Sequence, residues 1–570
     1  MRTAAHHLLQ SLLDHGIEYL FCNLGTDHAP LIEEMARWQE EGRPAPRVIL
    51  CPHENTALHM AGGYAVATGR GQAALVHVDA GTANSAMALH NLCRARVPVL
   101  LMAGRAPATT FNGVPGGRDT YVHFIQEPFD QGSVVRPYVK WEYTLPWPSM
   151  AEEVISRAHS VMQSDPPGPV YLMLPRETLA APCPPQELQA FPVAQHAPVK
   201  AAGIRPQAIE KIAAKLIASE NPLLVTAYAG RNPRTPALIG ELASLTGMRV
   251  CEFNPAHLNI RRDSPCFGGY LPGPFVEQAD VGLMVDIDVP WLPNSTRVNA
   301  AAWWAQIDID AVKRDIPMWG FPADVRIEGD SELLLAELVR AVQALATPDF
   351  ERRAAGRMAK LREEQAKRRA TIEAAATAPG TPGAVNPAHV CAALQRALAE
   401  HDVVLNEAIR NALVVFDQFP RNMPGTLFGS TGGGLGYSAG MALGLKLAEP
   451  GRRVVHIVGD GTFYLSNPSA VFAVAQEYGL PIMTVVLDNS GWSAVKESTL
   501  RMYPGGHARA TGEFASRLPA EMNFARIAEA AGAHGEYLSD PADTQVAVER
   551  CIGALDQGRS ALLHVRIAKH

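Results

Sequence analysis

The chain has 570 residues, with 50 Lys plus Arg against 57 Asp plus Glu and a formal net charge of −7. That length exceeds what one hydrophobic core supports, so two to four domains are expected, and the acidic balance excludes nucleic acid as the main partner, which demands a basic face. The eight cysteines are dispersed, with no CxxC pair and no Cys/His cluster, which argues against a disulfide framework or a zinc site and fits a reducing cytoplasm.

In chain order, Met1-Arg2-Thr3-Ala4-Ala5-His6-His7 opens an amphipathic helix without the apolar core of a secretory signal. Apolar β-branched runs predict strands at 19–22, 47–51, 73–77 and 98–102, with a helix running from Glu54 to Thr68. A Pro- and Ala-rich stretch around Ala180-Ala181-Pro182-Cys183-Pro184-Pro185 cannot sustain regular structure. Further strands are expected at 222–225, 281–285 and 305–309. A charged helix pattern over 350–376 follows, and Thr377 to Gly383 reads as a flexible joint. No apolar stretch approaches membrane-spanning length, so a soluble, cytoplasmic protein without a membrane partner is expected. The alternation of strands and helices argues for an α/β protein with three doubly wound, mainly parallel sheets. The expected domains are 1–180, 200–345 and 385–570, joined by linkers at 181–199 and 346–384.

The last segment carries the clearest chemistry. Two apolar runs, Val454 to Val458 and Ile482 to Leu487, end at Gly459-Asp460-Gly461-Thr462 and Asp488-Asn489, with a helix expected over 468–478 between them. This is a parallel βαβ unit. It places Asp460 and Asn489 at the carboxyl ends of two strands, where open α/β sheets bind ligands. Hard oxygen ligands beside glycine N–H groups suit Mg²⁺ carrying a diphosphate. Alone, Gly-Asp-Gly is most often a simple turn; the second strand ending in Asn is what strengthens the signal.

These motifs resemble the thiamine diphosphate (ThDP) dependent decarboxylase and acetolactate synthase family over nearly the whole chain. The resemblance implies a pyrimidine-binding, a middle and a diphosphate-binding domain in that order. It implies that Asp460 and Asn489 ligate Mg²⁺ with Gly491 adding a backbone carbonyl, while Gly459, Gly461 and Thr462 form the turn that receives the diphosphate. Two departures stand out: Asp488 replaces the usual Asn, and the interval between the ligands is about two residues longer, with the extra residues placed at 465–469. Glu54 matches the family Glu that hydrogen-bonds N1′ of the aminopyrimidine, a contact that favours the imino tautomer and so removal of the thiazolium C2 proton. That task calls for a carboxyl group in an apolar slot, whereas a first-turn Glu often serves only the helix dipole. In Ser430-Thr431-Gly432-Gly433-Gly434-Leu435-Gly436, the resemblance makes Gly433 the carbonyl that accepts from the 4′-amino group and Leu435 the wedge that bends the cofactor. Asn406-Glu407-Ala408-Ile409 lies where relatives gather diphosphate contacts, but matches less well.

Substrate residues are read with less support. Leu75 to Asn84 resembles benzoylformate decarboxylase, which implies an active-site His77 that moves protons; a structural histidine at a strand end is the alternative. Thr26 stands at the place of an active-site Ser, with Asp27 and His28 as extra polar candidates or helix caps. Gln126 resembles the acetolactate synthase Gln that faces the cofactor. Ala494 and Ser498 fall where benzoylformate decarboxylase lines its aromatic pocket. The middle domain carries no convincing phosphate loop, and FAD is not expected. The resemblance implies a lyase or carboligase acting on 2-oxo acids or related 2-hydroxy carbonyl compounds, with decarboxylation as the leading form. An acetolactate synthase-like carboligase or 2-hydroxyacyl-CoA lyase is the runner-up. A non-catalytic ThDP-binding regulatory or assembly protein is the alternative from another class. It also implies a homodimer as the minimal active unit and a homotetramer as the full assembly.

Overall fold

The structure, a computed structural model, describes every residue except 1, 112, 189–190, 204, 431, 519–521 and 570. Three parallel sheets follow one another along the chain. The first contains β1 (Tyr19–Asn23), β2 (Arg47–Leu50), β3 (Gln72–Val76), β4 (Val99–Arg105), β5 (Glu142–Thr144) and β6 (Val170–Pro175), in the order β2-β1-β3-β4-β6-β5. The middle sheet contains β7 (Pro222–Thr226), β8 (Arg249–Glu252), β9 (Val281–Val285), β10 (Trp303–Asp308) and β11 (Val325–Glu328), in the order β11-β10-β9-β7-β8. After a small antiparallel hairpin of β12 (Gly380–Thr381) and β13 (Ala384–Val385), the last sheet comprises β14 (Val403–Glu407), β15 (Leu427–Phe428), β16 (Val454–Gly459), β17 (Met483–Asp488), β18 (His534–Leu538) and β19 (Ala561–Arg566). Its order, β15-β14-β16-β17-β19-β18, repeats that of the first sheet strand for strand.

A parallel sheet needs both faces covered, and β3, β7, β17 and β19 are buried along their whole length. In each sheet the chain reverses its direction of build beside the first strand, between β1 and β3, β7 and β9, and β14 and β16. Such reversals open a crevice at the carboxyl ends of the strands. The middle crevice is filled from within. Lys313 is fully buried there, 2.7 Å from Asp308 and 3.1 Å from Asp288, and its ammonium also reaches Tyr228 Oη. From the N-terminal domain, Arg96 pairs with Asp288 at 2.8 Å and Asp310 at 2.9 Å.

Two helices set the domain arrangement. Pro348–Thr377 is one helix of 30 residues, capped by the Thr347 side chain accepting from Phe350 N–H, and it buries Phe350, Ala354, Met358 and Leu361 at helical spacing. Glu54–Thr68 packs closely on Ser438–Ala448, joining the first and last domains of the same chain. A Cβ on Gly63 would collide with the Met441 carbonyl, and one on Gly444 with the Met60 carbonyl, so only glycine permits this approach. No helix among the described residues is long and apolar enough to cross a membrane.

The structure corrects one local expectation. Gly459-Asp460-Gly461 is not a turn that leads to a later helix. Asp460 itself opens a short helix, Asp460–Leu465, which breaks at Ser466 and Asn467 before Pro468–Glu477 begins. Pro468 cannot continue the preceding helix, and Asn467 takes the left-handed conformation (φ 55°) that separates the two. The break falls within 465–469, the stretch where the extra residues are expected.

Candidate functional site

At the N-terminal crevice, Glu54 follows β2 as the first residue of its helix and is 5% exposed. The slot is not apolar as expected. Its two oxygens accept hydrogen bonds from Asn23 Nδ2 (2.9 Å), at the end of β1, and Asn84 Nδ2 (3.1 Å). Beside it, β3 ends at Val76 and His77 stands at the entry to helix Val78–Arg94. His77 Nδ1 lies 2.5 Å from Asp27 Oδ1 and Nε2 lies 2.9 Å from Gln126 Oε1. Both ring nitrogens therefore face oxygen acceptors, an arrangement that suits the imidazolium. The hydrogen bond to Asp27 raises the pKa of His77, outweighing the opposing effect of partial burial. Burial alone would raise Asp27, but its bond to His77 and the charges of His28 and His77 hold the carboxyl below its usual range.

His28 is fully buried, its Nδ1 accepting from Gly25 N–H at 3.0 Å and its Nε2 3.2 Å from Asp27. It backs Asp27 and does not line the open surface. Thr26 is exposed above this cluster, with Oγ1 at 3.5 Å from His123 Nε2. Thus His77, Gln126, His28 and Thr26 cluster about the buried Asp27, while Glu54, held by Asn23 and Asn84, stands at the neighbouring strand end.

The second constellation is a cleft of about 190 Å³ at the C-terminal crevice. Leu435, Gly459, Asp460, Gly461, Thr462, Asn489 and Gly491 all line it, together with Arg410, Trp492 and Ala494. Gly491 N–H donates to Asp460 Oδ2 (2.9 Å) and to Asn489 Oδ1 (3.2 Å), so the three expected ligands form one hydrogen-bonded group. Asp460 is 3% exposed, and burial together with the charge of Asp488 pushes its carboxyl up to about 7. A divalent cation at this place would reverse that penalty. No cluster of three or more His, Cys, Asp or Glu suited to a metal occurs among the described residues, so a cation here would draw on the mixed donor set of carboxylate, carboxamide and backbone carbonyl. Those hard oxygens fit Mg²⁺. The first-turn N–H groups of Gly461 and Thr462 have no acceptor within their helix, and Trp492 closes the wall so tightly that a Cβ on Gly461 would strike its ring.

Glu407, at the end of β14, holds the turn that carries Leu435: its carboxylate accepts from Gly436 N–H at 2.7 Å and Ser438 N–H at 3.0 Å. Burial raises its pKa to about 7 against the pull of those bonds. Gly433 (φ 78°) and Gly436 (φ 93°) supply the left-handed steps of this turn, while Thr431 lies outside the described residues. Ser498 is exposed and does not join the cleft wall, although Ala494 does.

Several neighbours escaped the sequence reading. Asn23 ends a predicted strand, the same signal that singles out Asp460. Asp488 turns away from the cleft towards His564 (2.8 Å) and the Arg566 guanidinium, whose polar positions in a buried strand were a readable sign. Asn84, His123 and Arg410 gave no local signal, because only packing brings them in. Arg410 forms an ion pair with Glu497 at the cleft mouth.

Two family profiles match the chain: "Thiamine pyrophosphate enzyme, N-terminal TPP binding domain" over residues 2–134 and "Thiamine pyrophosphate enzyme, C-terminal TPP binding domain" over residues 411–565. Each constellation rests mainly within one matched segment. Benzoylformate decarboxylase of Pseudomonas aeruginosa is 26% identical over 520 residues, covering 87% of this chain and 88% of the relative. Acetolactate synthase of Arthrospira platensis is 25% identical over 558 residues, covering 93% and 88%. Among solved structures, the ThDP-dependent 4-hydroxybenzoylformate decarboxylase of Rhodococcus jostii RHA1 superposes with a TM-score of 0.80 at 21% identity over the full length of both chains. Benzoylformate decarboxylase from Polynucleobacter necessarius gives 0.77 at 19%, covering 100% and 99%.

Proposed function

The chain belongs to the thiamine diphosphate-dependent enzymes, and on that premise we propose that it is a ThDP- and Mg²⁺-dependent lyase or carboligase acting on a 2-oxo acid, with decarboxylation as its principal reaction. The observation that carries the reading is the pairing of buried Glu54 with the His77–Asp27 dyad at one strand-end crevice. The bound cofactor supplies a nucleophilic carbon and an electron sink, chemistry the protein lacks. The chain's own residues do the rest. Asp460, Asn489 and the Gly491 carbonyl would hold the cation, the helix start at Gly461 and Thr462 would receive the diphosphate, and Leu435 would support the ring system from the cleft wall. Glu54 would hold the aminopyrimidine at N1′. His77, whose charged form Asp27 favours, would present a proton to the substrate carbonyl oxygen, with Thr26 and Gln126 beside it and His28 supporting Asp27.

The cleft at Asp460 is walled by residues 408–495 and by none from the N-terminal domain, whereas Glu54 is held by Asn23 and Asn84. Exposed apolar side chains accompany both: Phe124 and Ile125 directly precede Gln126, and Ile409 and Val495 line the cleft at Asp460. This supports a site completed across two chains, with a homodimer as the minimal unit and a homotetramer built from it. The filled middle crevice supports a middle domain without flavin.

The test is exchange of the C2 proton of bound ThDP, followed by NMR. Exchange faster than in free ThDP is expected, and Glu54→Gln should suppress it while cofactor stays bound. Exchange no faster than in free ThDP would sink the proposal. A panel of 2-oxo acids, assayed for CO₂ release with and without aldehyde acceptors, then identifies the substrate.

A further inference from the structure

We propose that Asn91, helped by Asn55 and His90, is a positioning residue that reaches from the N-terminal domain to hold the cofactor-bending turn 432–436 of the same chain. The inference rests on the reading of Leu435 as the wedge beneath ThDP. Asn91 Nδ2 donates to the Gly434 carbonyl at 2.9 Å while its Oδ1 accepts from Gly434 N–H at 3.0 Å. One carboxamide thus grips both sides of one residue. His90 Nε2 donates to the Gly432 carbonyl at 2.6 Å, and Asn55 Nδ2 to the Gly436 carbonyl at 3.1 Å. Alternate carbonyls of the turn are therefore held from the N-terminal domain, and Leu435 is left lining the cleft.

The orientation of the Asn91 amide is fixed by its surroundings. His59 Nδ1 donates to the Asn55 carbonyl at 3.0 Å, so its Nε2 is an acceptor, and Asn91 Nδ2 lies 3.2 Å from it. Asn91 is 5% exposed, and a Cβ on either Gly432 or Gly434 would collide with it, so the turn is moulded on this side chain. Loss of such a grip displaces a wedge without touching the diphosphate anchor, and small displacements at a reacting centre cost rate steeply.

The experiment uses full-length Asn91→Ala and Asn91→Asp, the second keeping size and an acceptor but losing the donor. ThDP affinity in Mg²⁺ is read from intrinsic tryptophan fluorescence, ring geometry from the near-ultraviolet circular dichroism of the bound aminopyrimidine, and activation from C2 exchange. The expected result is ThDP affinity within about threefold of wild type, a lost or inverted dichroic band, and exchange slowed by about tenfold or more. Smaller changes in band and exchange overturn the proposal. So does a loss of affinity that matches the loss of exchange, since that marks a general collapse of the domain contact. If Asn91→Ala does not fold, Asn91→Asp is judged by the same criteria. Wild-type protein that neither binds ThDP nor accelerates exchange overturns the cofactor reading as well, which keeps the two failures distinct.

Discussion

Asp27 serves His77 more than it serves a substrate, because it is buried and its carboxylate is spent on the imidazole and on Val78 N–H. Its hydrogen bond favours the charged form of His77. A histidine with a raised pKa is protonated below that value and loses its charge, and the stability that the pair contributes, as pH rises through it. Asp27→Asn removes the support, so the alkaline fall in activity should move to lower pH, with kcat/KM at neutral pH reduced by roughly 10²-fold. A pH–rate profile that keeps the wild-type alkaline limb would refute this role. Single residues at strand ends were legible in the sequence: Asp460, Asn489, His77 and Glu54 each follow an apolar run, and each stands in a crevice. Their partners were not legible. Asn84 and Gln126 lie 30 and 49 positions from the atoms they bind, and such contacts are decided by packing.

Among elements, the crossing of Glu54–Thr68 on Ser438–Ala448 sets the distance between the two ligand-bearing domains. Gly63→Val or Gly444→Val forces side-chain atoms against backbone carbonyls and should lower stability by about 1–3 kcal/mol, as overpacking does. Differential scanning calorimetry of the full chain should record a lower first transition, and an unchanged trace would mean the helices part without cost. Long buried strands were legible in the sequence, since a short unbroken apolar run bounded by turn residues suits a strand covered on both faces. The short strands β5 and β15, of three and two residues, were not, because they are strands only where their neighbours pair with them. The helix opening at Asp460 was also missed, because Gly-Asp-Gly carries turn chemistry and the helix it opens is only six residues long.

Across the whole molecule, Arg96 ties the first domain to the middle one through Asp288 and Asp310, and behind that contact Lys313 is buried against Asp308 within the middle domain. Burial holds Asp308 above the usual carboxylate range even beside Lys313. Lys313→Met would leave that charge unpaired and cost about 3–5 kcal/mol at neutral pH. Because a raised carboxyl takes up a proton as pH falls, the cost should shrink between pH 7 and pH 5. Denaturant titrations at both values test this, and a pH-independent cost would mean Asp308 stays ionised. At the level of assembly, the proposed two-chain site makes Glu54→Gln and Asp460→Ala lesions in different halves of it. Mixing the two inactive proteins under conditions of subunit exchange should restore about a quarter of the wild-type rate, since mixed dimers keep one intact site. No recovery would place both halves in one chain.

Glu54 and Asn55 are consecutive residues of one helix. In a two-chain site the first touches the cofactor held by the partner, while the second holds the turn under the cofactor of its own chain. Loading one site then pulls on the scaffold of the other, and by thermodynamic reciprocity each cofactor must feel its twin. ThDP binding to this protein should accordingly be cooperative in one direction or the other, and Asn55→Ala should return the binding curve to a simple hyperbola.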